Sequence, residues 1–183
     1  MPRDVRILSL GILMLLLTPP LSLAQTEQRA MYELPSLSIE MATAAPQSEQ
    51  AMALFSTGKW KEAGQLYEKT GTEAAKNSVE AYRAYDMAAR MYFYGHDYTA
   101  ARWSMGKAAE IAEATGDLVS AAYRHVDAAF IAVWEGYSGS RRDHVRRAEE
   151  LAGRPEVSPE HAAKIASLIQ GVTALPVSDT RGN

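Results

Sequence analysis

The chain has no cysteine. A disulfide-stapled scaffold is therefore excluded, and stability must come from packing alone. Proline is missing from residues 47–154: Pro2, Pro19, Pro20, Pro35 and Pro46 precede that window, and Pro155, Pro159 and Pro176 follow it. A proline inside a helix removes a backbone donor and clashes with the preceding turn, at a cost of about 3 kcal/mol, so this alanine-rich window permits uninterrupted helices. Aromatic residues are scarce outside it, since all but Tyr32 lie between Phe55 and Tyr137; that is material for one modest core in one domain. An excess of basic charge is lacking too, with 19 Lys and Arg against 22 Asp and Glu and a net charge of −3. The densest basic cluster is Arg141, Arg142, Arg146 and Arg147. It is too small to neutralise a run of phosphates, so nucleic acid is not an expected partner and the cluster reads as a solvated helix face.

Only one long apolar run is present, residues 7–17, preceded by Arg3 and Arg6 and followed by Thr18-Pro19-Pro20 and Ser22-Leu23-Ala24. This pattern reads as a secretory signal peptide, and the small residues Ser22 and Ala24 place cleavage after Ala24. A membrane helix needs about 20 apolar residues, so no stable membrane insertion is expected after cleavage. With no cysteine at the cleavage point, lipid-anchored export is excluded as well. The expected location is the periplasm or the extracellular space. Residues 25–47 mix polar with scattered apolar side chains and read as a linker or draped segment. Residues 48–171 carry the folded domain and 172–183 a flexible tail.

Within the domain, apolar positions recur at helical spacing. Gly58-Lys59 joins two short helices. Ser78 caps a helix ending at Gly95, Asp97 one ending at Gly116, and Asp117 one ending at Gly136. Ser140 and Asp143 resemble a capping box for the helix that stops at Gly153, and Ser158-Pro159-Glu160 opens a seventh helix to about Gln170.

Self-comparison shows a repeat. Ala81-Tyr82-Arg83-Ala84-Tyr85-Asp86-Met87-Ala88 aligns with Ala122-Tyr123-Arg124-His125-Val126-Asp127-Ala128-Ala129, and each stretch runs on to a glycine, Gly95 or Gly136. The following helices align through Lys107-Ala108-Ala109-Glu110-Ile111-Ala112 and Arg147-Ala148-Glu149-Glu150-Leu151-Ala152. A hairpin period near 40 marks a solenoid, because one helical hairpin cannot bury its apolar face alone. Gly58-Lys59-Trp60-Lys61-Glu62-Ala63 with Tyr67 and Thr70, and Asp97-Tyr98-Thr99-Ala100-Ala101 with Met105 and Ala108, give a glycine-or-turn, aromatic, small, large, small order. On these residues the sequence resembles the tetratricopeptide repeat family, with longer units and without the family's closing proline. The resemblance implies an all-α fold: a right-handed antiparallel helical-hairpin solenoid of about three hairpins, with Ser158 to Gln170 as its capping helix.

No nucleophile turn or glycine-rich phosphate loop occurs, so no enzyme and no cofactor are expected. The histidines His96, His125, His144 and His161 include no pair at the spacing that would share a metal on one helix, so no metal site is expected. The recurrent Arg83/Asp86 and Arg124/Asp127 pairs place opposite charges on one helix face, where they either bridge neighbouring units or serve a partner. The resemblance implies that first helices line a concave surface. Tyr82, Arg83, Tyr85, Asp86, Arg90, Tyr123, Arg124 and Asp127 are then the candidates for binding a protein or peptide with an acidic group. Self-association into a homo-oligomeric envelope subunit is the alternative. The aromatic run Met91-Tyr92-Phe93-Tyr94 is large at every position, so part of it must be exposed or covered by another segment.

Overall fold

The computed structural model describes residues 46–176, with side chains from Glu49 onward. The expected signal peptide, nearly all of the 25–47 segment, and residues 177–183 of the expected tail lie outside the described residues. Among the described residues there are seven helices and no strand: α1 (Pro46–Ser56), α2 (Trp60–Glu73), α3 (Val79–Tyr94), α4 (Tyr98–Ala114), α5 (Leu118–Glu135), α6 (Ser138–Ala152) and α7 (Pro159–Ala174). None of them is long and apolar enough to cross a membrane.

Five of the six connections obey one rule. The residue two places before the new helix has a left-handed backbone: Gly58, Asn77, His96, Gly116 and Gly136, with φ between 56° and 80°. Glycine adopts that conformation without a Cβ penalty, which is why Gly136 ends α5. Its sequence counterpart Gly95 does not, having φ −79°. Gly95 is needed instead for a close approach, because a Cβ there would lie 3.1 Å from the Trp60 Cβ. The left-handed position of that turn falls on His96.

The caps follow the sequence in four helices. Ser78, Asp97, Asp117 and Ser158 each accept a hydrogen bond from the backbone N–H three residues on, which satisfies an otherwise orphaned helix donor. The expected capping box of Ser140 and Asp143 does not form. The turn at Gly136 starts α6 at Ser138, so Ser140 is already inside the helix and buried. At the other end, α7 continues past Gln170 to Ala174, and Val172 is buried rather than part of a frayed tail.

Turns this short place consecutive helices side by side. Each helix packs against the next, and α7 contacts both α5 and α6. Small residues make that packing close. Ala63, Ala88, Ala89, Ala101, Ala108, Ala121, Ala128 and Ala132 are fully buried, with Met105, Ile131 and Ile165 as the largest fully buried apolar side chains. Between α2 and α3 the contact is closer still, since a Cβ on Gly64 would meet the Tyr92 ring at 2.9 Å and one on Gly71 the Tyr85 ring at 3.0 Å. At the turn edge an aromatic line runs from Phe55 to Trp60 (ring centroids 4.3 Å apart), to Tyr94 (5.4 Å), to Phe93 (6.2 Å), and on to Tyr98 (5.6 Å) and Phe130 (5.9 Å). Met91, Tyr92 and Phe93 are buried, and Tyr94 keeps about half its surface exposed.

Candidate functional site

The repeated Ala-Tyr-Arg-x-x-Asp motif puts one copy on α3 and one on α5, and the two copies meet. Arg124 Nε of α5 lies 3.2 Å from Asp86 Oδ1 of α3 and donates to Tyr82 Oη at 3.1 Å. Its Nη1 bonds Asp127 one turn along α5. Arg90 Nε closes the far side by donating to Asp86 Oδ2 at 3.0 Å. Two guanidinium groups and two carboxylates thus alternate in a charge-balanced row. Asp86, Arg124 and Asp127 are 4, 5 and 2% exposed. Burial works against the Arg124 cation, but Asp86 and Asp127 outweigh it and hold the guanidinium charged. Burial pushes the Asp127 carboxyl up to about 6, against the pull of Arg124.

This geometry divides the eight candidate residues. Tyr82, Asp86, Arg90, Arg124 and Asp127 share one seam between α3 and α5, but three of them are beyond the reach of a partner. The charge pairing within α3 also differs from the expected one: Asp86 takes Arg90 and Arg124, and Arg83 is exposed without an ion pair among the described residues. Tyr85 turns to the other side, with its ring edge-on to Trp103 at 5.8 Å and its hydroxyl 3.3 Å from Thr72 Oγ1. Tyr123 points towards α7, where its hydroxyl lies 3.5 Å from His161 Nδ1 and the Lys164 ammonium sits 5.9 Å over its ring. Burial, then Glu160, raises the Tyr123 phenol.

Comparison with models of known protein families, with curated proteins and with solved structures finds no match to this chain.

A second polar cluster, which spacing along the sequence does not reveal, lies on the opposite side of α5. His125 Nε2 is 2.8 Å from Glu113 Oε1 of α4, and His125 Nδ1 is 3.0 Å from His144 Nδ1 of α6. Arg147 of α6 donates through Nε and Nη2 to both Glu113 oxygens. Hydrogen bonds from Arg147 and then His125 hold the Glu113 carboxyl below its ordinary value, against burial. Burial lowers both histidines, His144 to about 4. The two imidazoles are 19 residues apart in sequence and on different helices, so no single-helix pattern announces them. The available signal was the repeat alignment itself: His125 replaces Ala84 and His144 replaces Ser104, two buried small residues of the preceding unit. Among the described residues, no group of three or more His, Asp or Glu side chains is arranged to hold a metal ion.

The basic cluster of α6 is partly a solvated face, with Arg142 and Arg146 exposed, and partly paired. Arg141 donates to the Leu175 carbonyl at 2.9 Å, Arg146 pairs with Glu150 and Arg147 with Glu113, which leaves Arg142 exposed.

Proposed function

We propose that residues 48–171 form a tetratricopeptide-like right-handed solenoid, and that the chain is an exported module binding a protein or peptide partner in the periplasm or outside the cell. The observation carrying this reading is a tyrosine–cation pairing that recurs along alternate helices, through the hydroxyl at Tyr82 and over the ring at Tyr123. Tyr82 of α3 meets Arg124 of α5, and the equivalent Tyr123 of α5 meets Lys164 of α7, which stands 40 residues after Arg124. Such repetition is expected where similar interfaces are stacked. On this view α7 is a fourth first helix as well as a cap, with Ala162-Ala163-Lys164 in place of Ala-Tyr-Arg. Arg83, Tyr82 and Tyr123, on successive first helices, are the residues that remain reachable on the proposed concave side, and a cationic and phenolic surface suits an acidic peptide group.

Cross-linking in cells followed by purification tests the reading, with wild type compared against Arg83→Ala/Tyr123→Ala. Loss of a cross-linked partner in the variant is the expected result. An unchanged partner set removes the concave-side assignment. Light scattering on residues 25–183 separates the alternative, a self-associating subunit, which requires a dimer or larger species at micromolar concentration.

A further inference from the structure

We propose that Glu113, His125 and His144 form an acid-released latch holding α6 onto α4 and α5. The hydrogen-bond chain assigns the protons. Glu113 is an anion and can only accept, so His125 Nε2 donates to it. A neutral His125 then offers Nδ1 as an acceptor, and His144 Nδ1 donates to that atom. One added proton is tolerated: a cationic His125 donates from both nitrogens, to Glu113 and to His144, if His144 carries its own proton on Nε2. A second proton is not tolerated. Two imidazolium rings would then aim N–H groups at each other across 3.0 Å, and one ring must leave.

His144 is the ring free to leave, because His125 is held by Glu113 and is the more buried of the two. The charges facing the pair do not rescue the doubly protonated state. Arg102 of α4 and Arg147 of α6 oppose protonation, whereas Glu110 and Glu113 of α4 and Asp143 of α6 favour it. Glu113 is also already engaged by Arg147. Departure of His144 removes the histidine link from α6 to α5, and α7, packed on both α5 and α6, loses part of its support. The acid-labile part of the molecule is therefore its C-terminal end.

The folded state disfavours the His144 proton relative to an unfolded chain, where an imidazole titrates near its ordinary value of 6.5. Stability contributed by neutral His144 is complete above that value and is lost as pH falls towards about 4. Between pH 7 and pH 5 the loss in the local opening equilibrium amounts to about twentyfold. Segment-resolved hydrogen exchange on the full chain, corrected for intrinsic rates, reads it directly. Protection of α6 amides is expected to fall about twentyfold over this interval, with no matching loss in α3 amides. In His144→Gln, whose amide can still donate to His125 Nδ1 but does not titrate, the excess loss disappears. Parallel losses in α3 and α6, or an undiminished α6 loss in His144→Gln, overturn the latch. Imidazole NMR titration of the wild type supplies a readout that needs no variant. His125 and His144 titrating independently near 6.5 overturn it as well, and a His144 that resists protonation to about pH 4 supports it.

Discussion

Helix α5 carries two buried polar clusters on adjacent residues, and they solve the same problem in opposite ways. Arg124 and Asp127 face α3 and are charged, each cation matched by a carboxylate. His125 faces α4 and α6 and is held neutral, a hydrogen-bond relay ending on Glu113. A charged row tolerates removal of neither sign, because the remaining charge is left without solvent or partner. A neutral relay tolerates loss of a member better but fails when protons are added. One seam is therefore the more sensitive to mutation, and the other is the one that acid weakens.

The largest expected effect follows from the charged seam. Arg124→Met retains the bulk and aliphatic stem but leaves Asp127 with no cation and Asp86 with Arg90 alone. The expected loss is about 3–5 kcal/mol of unfolding free energy at pH 7, read by urea denaturation with an unchanged m-value. A loss below about 1 kcal/mol would mean that water reaches the seam and that its two carboxylates are solvated.

How far the sequence announced this arrangement differs between the two clusters. The helices were legible because Gly58, Gly116 and Gly136 punctuate a proline-free window and Ser78, Asp97, Asp117 and Ser158 are good caps. The α3–α5 seam was half legible: the motif spacing drew attention to Arg83, Asp86, Arg124 and Asp127, but the pairing is between units, a distance that spacing within one helix does not measure. Arg83 lacks the counterpart that Arg124 has: among the described residues no carboxylate pairs with it, and Asp86 is taken by Arg90 and Arg124. The histidine cluster was not legible by spacing, since His125 and His144 belong to facing helices. The start of α6 was misplaced for a local reason, as backbone geometry at Gly136 outweighed the weaker side-chain signal of Ser140 and Asp143.

A smaller effect separates the clusters by the sign of their pH response. The Asp127 carboxyl, raised to about 6 in the fold from an ordinary 3.8, makes a contribution that is fully present below the unfolded value and is lost as pH rises through the folded one. Acid therefore favours the α3–α5 seam while it loosens α6. In Asp127→Asn the titration is gone, so wild type should gain on the variant by about tenfold in the folding equilibrium between pH 7 and pH 5. Urea denaturation of both proteins at the two pH values measures this. A difference independent of pH would show that Arg124 keeps the carboxyl in its ordinary range. The opposed signs also explain why segment-resolved exchange, and not a global melting temperature, is the sensitive measure of the histidine latch.

The smallest effect is expected at Arg147, and it is informative for that reason. Arg147 makes more contacts to Glu113 than His125 does, yet its side chain is 43% exposed against 6% for Arg124. Solvent screens an exposed pair and side-chain ordering offsets its attraction. Arg147→Gln should therefore cost less than about 1 kcal/mol at pH 7, because Glu113 retains His125 and remains near water. The consequence appears at lower pH: without the guanidinium, the first cause of its lowered carboxyl, Glu113 takes up a proton earlier. The His125 Nε2 bond then loses its anionic acceptor, and imidazole NMR should show the His125 signal changing at higher pH than in wild type. A loss of 3 kcal/mol or more at neutral pH would instead place Glu113 in a buried ion pair like that of Arg124, and the distinction between a charged seam and a neutral relay would fail.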